Sequence, residues 1–192
     1  MPDISLPDPK TSVVLTLDCQ KGVVEMHPES ARIFKPASRV LDTVRTRGFP
    51  VIHVGIGFRP RYPEIHPDHP TFVKLQQSGK FVIGTESSEF HDSVSPKTGE
   101  IIIYKHRVSA FSGNDLEMIL RSKGIKHLVF FGIATSGIVL STLRQASDMD
   151  FRSLVISDCC FDADEEVHRV LMGKVFPRQA TVMDADEFIR RI

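Results

Sequence analysis

The sequence has no tryptophan, only two tyrosines and only three cysteines, and its charge has no excess of either sign. The cysteine count is odd and Cys159 and Cys160 are neighbours, so a disulfide framework is excluded and a reducing, cytoplasmic compartment is the expected location. No stretch approaches the roughly 18 consecutive apolar residues of a membrane-spanning helix. The leading "MPDISLPDPKTS" has neither the basic nor the apolar region of an export signal, so no membrane is expected as partner. Lys plus Arg equals Asp plus Glu at 24 each, which removes the basic surface that a nucleic acid would require. What remains is a small molecule. At 192 residues the chain is long enough to bury a core without metal or disulfide staples, and a single domain over 1–192 is expected.

Short apolar runs alternate with amphipathic stretches, the pattern of β-α-β units in a parallel sheet covered on both faces. Strands are expected at 12–18, 50–56, 100–105, 127–132, 153–158 and 180–184. Helices are expected at 37–47, with Val40, Leu41 and Val44 on one face and Gly48 as the stop, and at 114–123, opening on Asn114 and closing at Gly124. Others follow at 135–147 and 164–174, and "DADEFIRRI" ends the chain as a short helix. The region 57–99 is rich in Pro, Gly and charge, with a weak helical pattern near Phe72 to Gln77, and reads as a functional insert or lid.

Ligands of open parallel sheets gather beyond the carboxyl ends of the strands. The candidates there are Asp18-Cys19-Gln20 after the first strand, Lys105-His106-Arg107 after the third, the elbow "GIATSGIVL" after the fourth, and Asp158-Cys159-Cys160 after the fifth. An aspartate closing an apolar strand is desolvated, which raises its pKa unless a cation restores the charged form. Asp18 and Lys105 form such a pair of residue types, suited to general acid or base work beside a fixed positive charge. A turn aspartate and a solvent-seeking lysine fit the same positions equally well.

With those residues assembled, the chain resembles the isochorismatase-like hydrolases, a superfamily that includes nicotinamidases and other cysteine amidohydrolases. "LTLDCQKGV" is similar to the family's first-strand motif, and "YKHRVSAFSGNDLEMILRSKGIKHLVFFGIATSG" to its lysine segment, Ser-Ala-Phe turn, following helix and elbow. The resemblance implies a Rossmann-like three-layer α/β/α fold with a six-stranded parallel sheet in order 3-2-1-4-5-6. It also implies a homo-oligomer, dimer or tetramer, and a catalytic Asp, Lys and Cys. Asp18 matches the aspartate and Lys105 the lysine, but Ile138 falls where the resemblance implies the cysteine, while Gly132, Thr135 and Val139 keep the register. By the same resemblance the turn at Ile133 and Ala134 carries a cis peptide, and the backbone N–H groups of Ala134 and Ile138 form an anion-binding pair.

Ile138 cannot form a thioester, so cysteine-type amide hydrolysis is not expected. True isochorismatases carry glycine at that position and cleave a vinyl ether by general-acid chemistry, which sets the expectation here: Asp18 as acid or base, Lys105 as its partner, no cysteine nucleophile. The alternatives are a non-catalytic small-molecule-binding protein and an amidase with a relocated nucleophile such as Cys19. Cys19 is expected to point away from the pocket by strand alternation, and Cys159 and Cys160 to be packing residues. Gln20, Phe58, Arg59, Thr135 and Ser136 complete the expected pocket; Phe58 and Tyr62 would form a wall and Arg59 a carboxylate clamp, although a solvated surface loop is an equal reading. Thr135 and Ser136 have no evident histidine partner in sequence and read as helix caps. His53 reads as a packed strand residue, Pro67 separates His66 from His69, and His168 reads as structural or an interface residue, so no metal and no cofactor are expected.

Overall fold

The structure is a computed structural model that describes residues 7–192; the leading residues 1–6, part of the segment read above as lacking an export signal, lie outside the described residues. Six strands, β1 (Ser12–Leu17), β2 (Val51–Ile56), β3 (Ile101–Lys105), β4 (His127–Gly132), β5 (Arg152–Ile156) and β6 (Ala180–Met183), form one parallel sheet in the order β3-β2-β1-β4-β5-β6. That is the expected 3-2-1-4-5-6 order with helices flanking the sheet. Every residue of β1 and β2 is buried, because helices cover both faces of the central strands. Fully burying side chains such as Leu15 and Phe130 contributes roughly 1.5–3 kcal/mol each.

Three strands stop earlier than expected, β6 by one residue at Met183. β1 ends at Leu17 because Asp18 takes a left-handed backbone (φ 51), which turns the chain out of the sheet. β5 ends at Ile156, where a tight 3-10 turn Ser157–Cys159 begins; Asp158 there accepts from Ala185 N at 2.8 Å, adding to the cap that Asp184 gives the terminal helix α7 (Ala185–Arg191) by accepting from Glu187 N.

Helix α1 (Lys21–Met26) follows Asp18 directly, packed so closely that a Cβ on Gly22 would lie 2.7 Å from Ser87 O. The next helix, α2 (Phe34–Thr46), starts earlier than its apolar pattern because the 3-10 turn Pro28–Ile33 runs into it, and it buries Val40, Leu41 and Val44 as expected. The insert is more ordered than its composition implies. It holds α3 (Phe72–Ser78) and a small core of its own, formed by Ile56, Phe58, Tyr62, Ile65, Phe72 and Phe81. Helix α4 (Leu116–Ser122) is opened by Asn114, whose Oδ1 accepts from Leu116 N at 2.9 Å. After β4 a wide turn, Thr135–Val139, precedes α5 (Leu140–Asp148), with Gly137 off helical geometry at φ −94, ψ −106. Asp164 caps α6 (Glu165–Val170) by accepting from Glu166 N and Val167 N.

His53 lies in β2 with both ring nitrogens engaged, Nδ1 with Thr16 Oγ1 at 2.8 Å and Nε2 with Glu100 Oε2 at 2.9 Å. Glu100 also accepts from Arg45 through two nitrogens at 2.8 and 2.9 Å and from Lys97 N at 2.7 Å. Burial opposes its ionisation, but these hydrogen bonds outweigh burial and hold the carboxyl down to about 2. A carboxyl lowered by folding stabilises the folded state above its unfolded pKa, and that contribution is lost as pH falls through the folded value. The expected outcome for Glu100→Gln is a loss on the order of 2 kcal/mol at neutral pH, between an exposed and a buried pair. The difference from wild type should shrink as pH falls from 4.5 toward 2, as read by chemical denaturation across that window.

Candidate functional site

The carboxyl ends of β1, β3 and β4 bring Asp18, Lys105 and the elbow to one side of the sheet. Asp18 and Lys105 belong to strands separated by β2, and their side chains meet beyond its end: Lys105 Nζ lies 2.9 Å from Asp18 Oδ2 and donates to Arg107 O at 3.0 Å. Lys105 is 1% exposed and Asp18 7%. The other carboxylate oxygen, Asp18 Oδ1, is buried and has no hydrogen-bond partner among the described residues. Burial pushes the Asp18 pKa up, and the Lys105 ammonium offsets only part of that rise.

The elbow depends on a backbone contact. Gly132 has φ 154, and a Cβ there would lie 1.9 Å from Leu17 O, so β1 and β4 come together at a point that admits no side chain. Ile133 N donates to that same Leu17 O at 3.0 Å. The Ile133–Ala134 peptide is cis. Ala134 O then accepts from Gly137 N at 3.1 Å and Val139 N at 3.3 Å, passing over the Ile138 N–H between them. The Ile138 side chain is 2% exposed and packs into the main core.

Thr135 is buried, with its N–H donating to Phe161 O at 2.8 Å and its hydroxyl 2.8 Å from His168 Nδ1. The expectation that Thr135 has no histidine partner is thereby corrected: loops following neighbouring strands β4 and β5 meet, and α6 brings in a histidine 33 residues along the chain. Burial lowers the His168 pKa. Ser136 is exposed, and its N–H donates to Asp162 Oδ2 at 2.7 Å.

The remaining expected pocket residues have other partners. Gln20 is fully buried and spends its amide on backbone: Nε2 donates to Ile56 O at 2.9 Å and Ser88 O at 2.8 Å, and Oε1 accepts from Ile56 N at 2.8 Å. Phe58 is fully buried in the insert's own core, a packing residue where a pocket wall was expected. Arg59 reaches outward, its side chain 69% exposed, and pairs with Glu64 at 2.7 Å, which occupies the guanidinium meant as a clamp. Sequence reasoning noted Ser109 only as part of the Ser-Ala-Phe turn and passed over Thr142. Ser109 Oγ donates to Gln145 Oε1 at 2.7 Å and Ala110 N to Thr142 Oγ1 at 3.1 Å, which stitches the segment after Lys105 to α5.

All three thiols are buried. Cys19 Sγ faces Leu17 O at 3.7 Å, and burial pushes all three thiol pKa values up, Cys160 to about 12. The loop histidines serve as local caps: His66 Nδ1 accepts from Asp68 N, and His69 Nδ1 from Phe72 N at 3.2 Å. Among the described residues, no three His, Cys, Asp or Glu side chains gather as a metal site.

The Isochorismatase domain model matches residues 12–187. The isochorismatase family protein YwoC of Bacillus subtilis (strain 168) is 28% identical over 185 residues, covering 95% of this chain and 94% of that protein. The ureidoacrylate amidohydrolase RutB of Caulobacter vibrioides (strain ATCC 19089 / CIP 103742 / CB 15) is 30% identical over 203 residues, covering 94% of this chain and 86% of that protein. A cysteine hydrolase from Pseudomonas syringae pv. phaseolicola shares the fold, with a TM-score of 0.86 at 19% identity over 100% of this chain and 98% of its own. With the family model spanning the sheet from β1 to the terminal helix, this chain belongs to the isochorismatase family of hydrolases.

Proposed function

We propose that the protein is a small-molecule hydrolase that works without a cysteine nucleophile, with Asp18 as general acid and base and Lys105 as its electrostatic partner. The observation that carries this reading is the state of the Asp18 carboxylate. One oxygen is held by the ammonium at 2.9 Å and the other is buried without a partner. An unpartnered buried acceptor of this kind costs roughly 1–3 kcal/mol, more for a charged group, and a proton on Oδ1 relieves that cost. The raised pKa follows from the same burial and keeps the proton available for delivery.

The reaction class that fits is cleavage of a vinyl ether or a related bond. Asp18 gives its proton to the terminal carbon of the ether double bond, leaving an oxocarbenium ion. Water adds to that ion, its surplus proton returns to the carboxylate, and the hemiacetal separates into a carbonyl compound and an alcohol. Lys105 holds the carboxylate in place and balances its charge when the proton has left. The elbow's backbone supplies the polar contact: the N–H groups of Ala134 and Ile138 act as an anion-holding pair, supported by the way Ala134 O bonds past Ile138. The buried, high-pKa thiols argue against a relocated cysteine.

A panel of vinyl ethers and small amides tests this with wild type, Asp18→Asn and Lys105→Ala. Vinyl ether turnover by wild type is expected, with kcat/KM reduced by about 10²–10⁴ in Asp18→Asn. Equal turnover by all three would remove both residues from the mechanism, and no turnover of any panel member by wild type would leave a binding protein. Because the acid must be protonated, kcat/KM should decline as pH rises through the raised Asp18 pKa, and Asp18→Asn should lose that limb. Native protein treated with iodoacetamide at neutral pH should keep full activity and gain label only after denaturation; inactivation that Cys19→Ser prevents would restore the thiol mechanism.

A further inference from the structure

The segment that follows β3 holds a defined shape with little main-chain support. Beyond Lys105 the chain bends through His106, Arg107 and Val108, whose backbones make no hydrogen bond to other main chain among the described residues. Yet the Arg107 carbonyl is the second partner of the Lys105 ammonium, accepting at 3.0 Å while Asp18 Oδ2 lies at 2.9 Å. A lysine ammonium is a compact donor on a flexible stem, so the acceptors around it set its direction. Whatever fixes the Arg107 carbonyl therefore helps to aim Lys105.

The Arg107 side chain supplies that support. Its guanidinium fork takes two carbonyls at once, Nη1 donating to His106 O at 2.6 Å and Nη2 to Glu64 O at 3.0 Å. The guanidinium also lies over the Phe72 ring at 5.6 Å, and Phe72 is buried in the insert's own core. His106 adds one more tie, with Nδ1 2.6 Å from Gly57 O. The residue whose carbonyl faces Lys105 is thus bound by its own side chain to two parts of the insert. Lys105 is the cation whose charge lowers the Asp18 carboxyl, and the Arg107 charge has no direct share in that.

Resting on the reading of Asp18 and Lys105 as the reactive centre, we propose that Arg107 is a positioning residue for the reaction. It locks its own carbonyl against the insert, and that carbonyl turns the Lys105 ammonium toward Asp18. The insert thereby reaches the reactive pair through one guanidinium.

The test is a pH titration of Asp18 in the full chain, followed by carbon NMR of protein labelled at the aspartate Cγ, with the Asp18 signal identified by its loss in Asp18→Asn. Arg107→Met keeps most of the stem over Phe72 but removes both guanidinium hydrogen bonds. With Lys105 held less firmly, its charge offsets less of the effect of burial, so Asp18 should titrate about one pH unit higher than in wild type. Arg107→Lys keeps the charge but cannot span two carbonyls, so it should move Asp18 in the same direction; it also serves should Arg107→Met fail to fold. The alkaline limb of kcat/KM on vinyl ethers should move up with the titration. An unmoved or lowered Asp18 in both variants, full rescue by Arg107→Lys, or displacement of every aspartate signal together would overturn the assignment. Turnover does not enter the titration. A raised Asp18 beside absent turnover would uphold the placement of Lys105 and remove the hydrolase reading, whereas an unmoved Asp18 beside Asp18-dependent turnover would remove Arg107 alone.

Discussion

The meeting of Asp18 and Lys105 imposes the strictest demand on this fold. Two charges with 7% and 1% exposure are tolerable only because they face each other at 2.9 Å, since a buried charge deprived of its partner typically costs about 3–5 kcal/mol. Their strands are not neighbours, so the end of β2 between them has to leave room. Glycines at that end admit other neighbours: a Cβ on Gly55 would lie 2.8 Å from the Gln20 amide, and one on Gly57 would lie 2.5 Å from the Tyr104 ring. Gln20 then seals the gap by bonding both to Ile56 and to Ser88. A polar side chain that looks like a substrate contact is here the clasp between the sheet and the insert.

The parallel sheet was legible because its strands are continuous apolar runs, and the two charged residues stood out because each closes such a run. Their separation of 87 positions, and the roles of Gln20 and Phe58, were not legible, because they are set by which strand ends become neighbours and by the insert closing over β2. The insert reads in sequence as a functional insert or lid, with only a weak helical pattern near Phe72 to Gln77. It nonetheless carries five buried apolar side chains that join Ile56 of β2 in a separate small core, too widely spaced in sequence for periodicity to show. The partnership of Thr135 with His168 was hidden for a different reason. It joins loops after β4 and β5, and only the strand order says that those loops touch.

The elbow and the thiols together describe how the site divides its labour. Backbone geometry at the elbow comes from Gly132, Ile133 and Ala134, whose hydrogen bonds run to Leu17 and within the turn. The neighbouring cysteines sit in the core with raised pKa values, where they contribute packing and little reactivity.

The contact between Gly132 and Leu17 has a consequence for how such a site is held together. Because β1 and β4 touch through main-chain atoms, the shape of the turn is independent of which side chain stands at position 138. Glycine at 132 is the residue under steric obligation from the backbone, while Ile138 is constrained by its packing in the main core and not by that contact. The turn and the core are thus held by separate means, the first by main-chain contact and the second by side-chain packing.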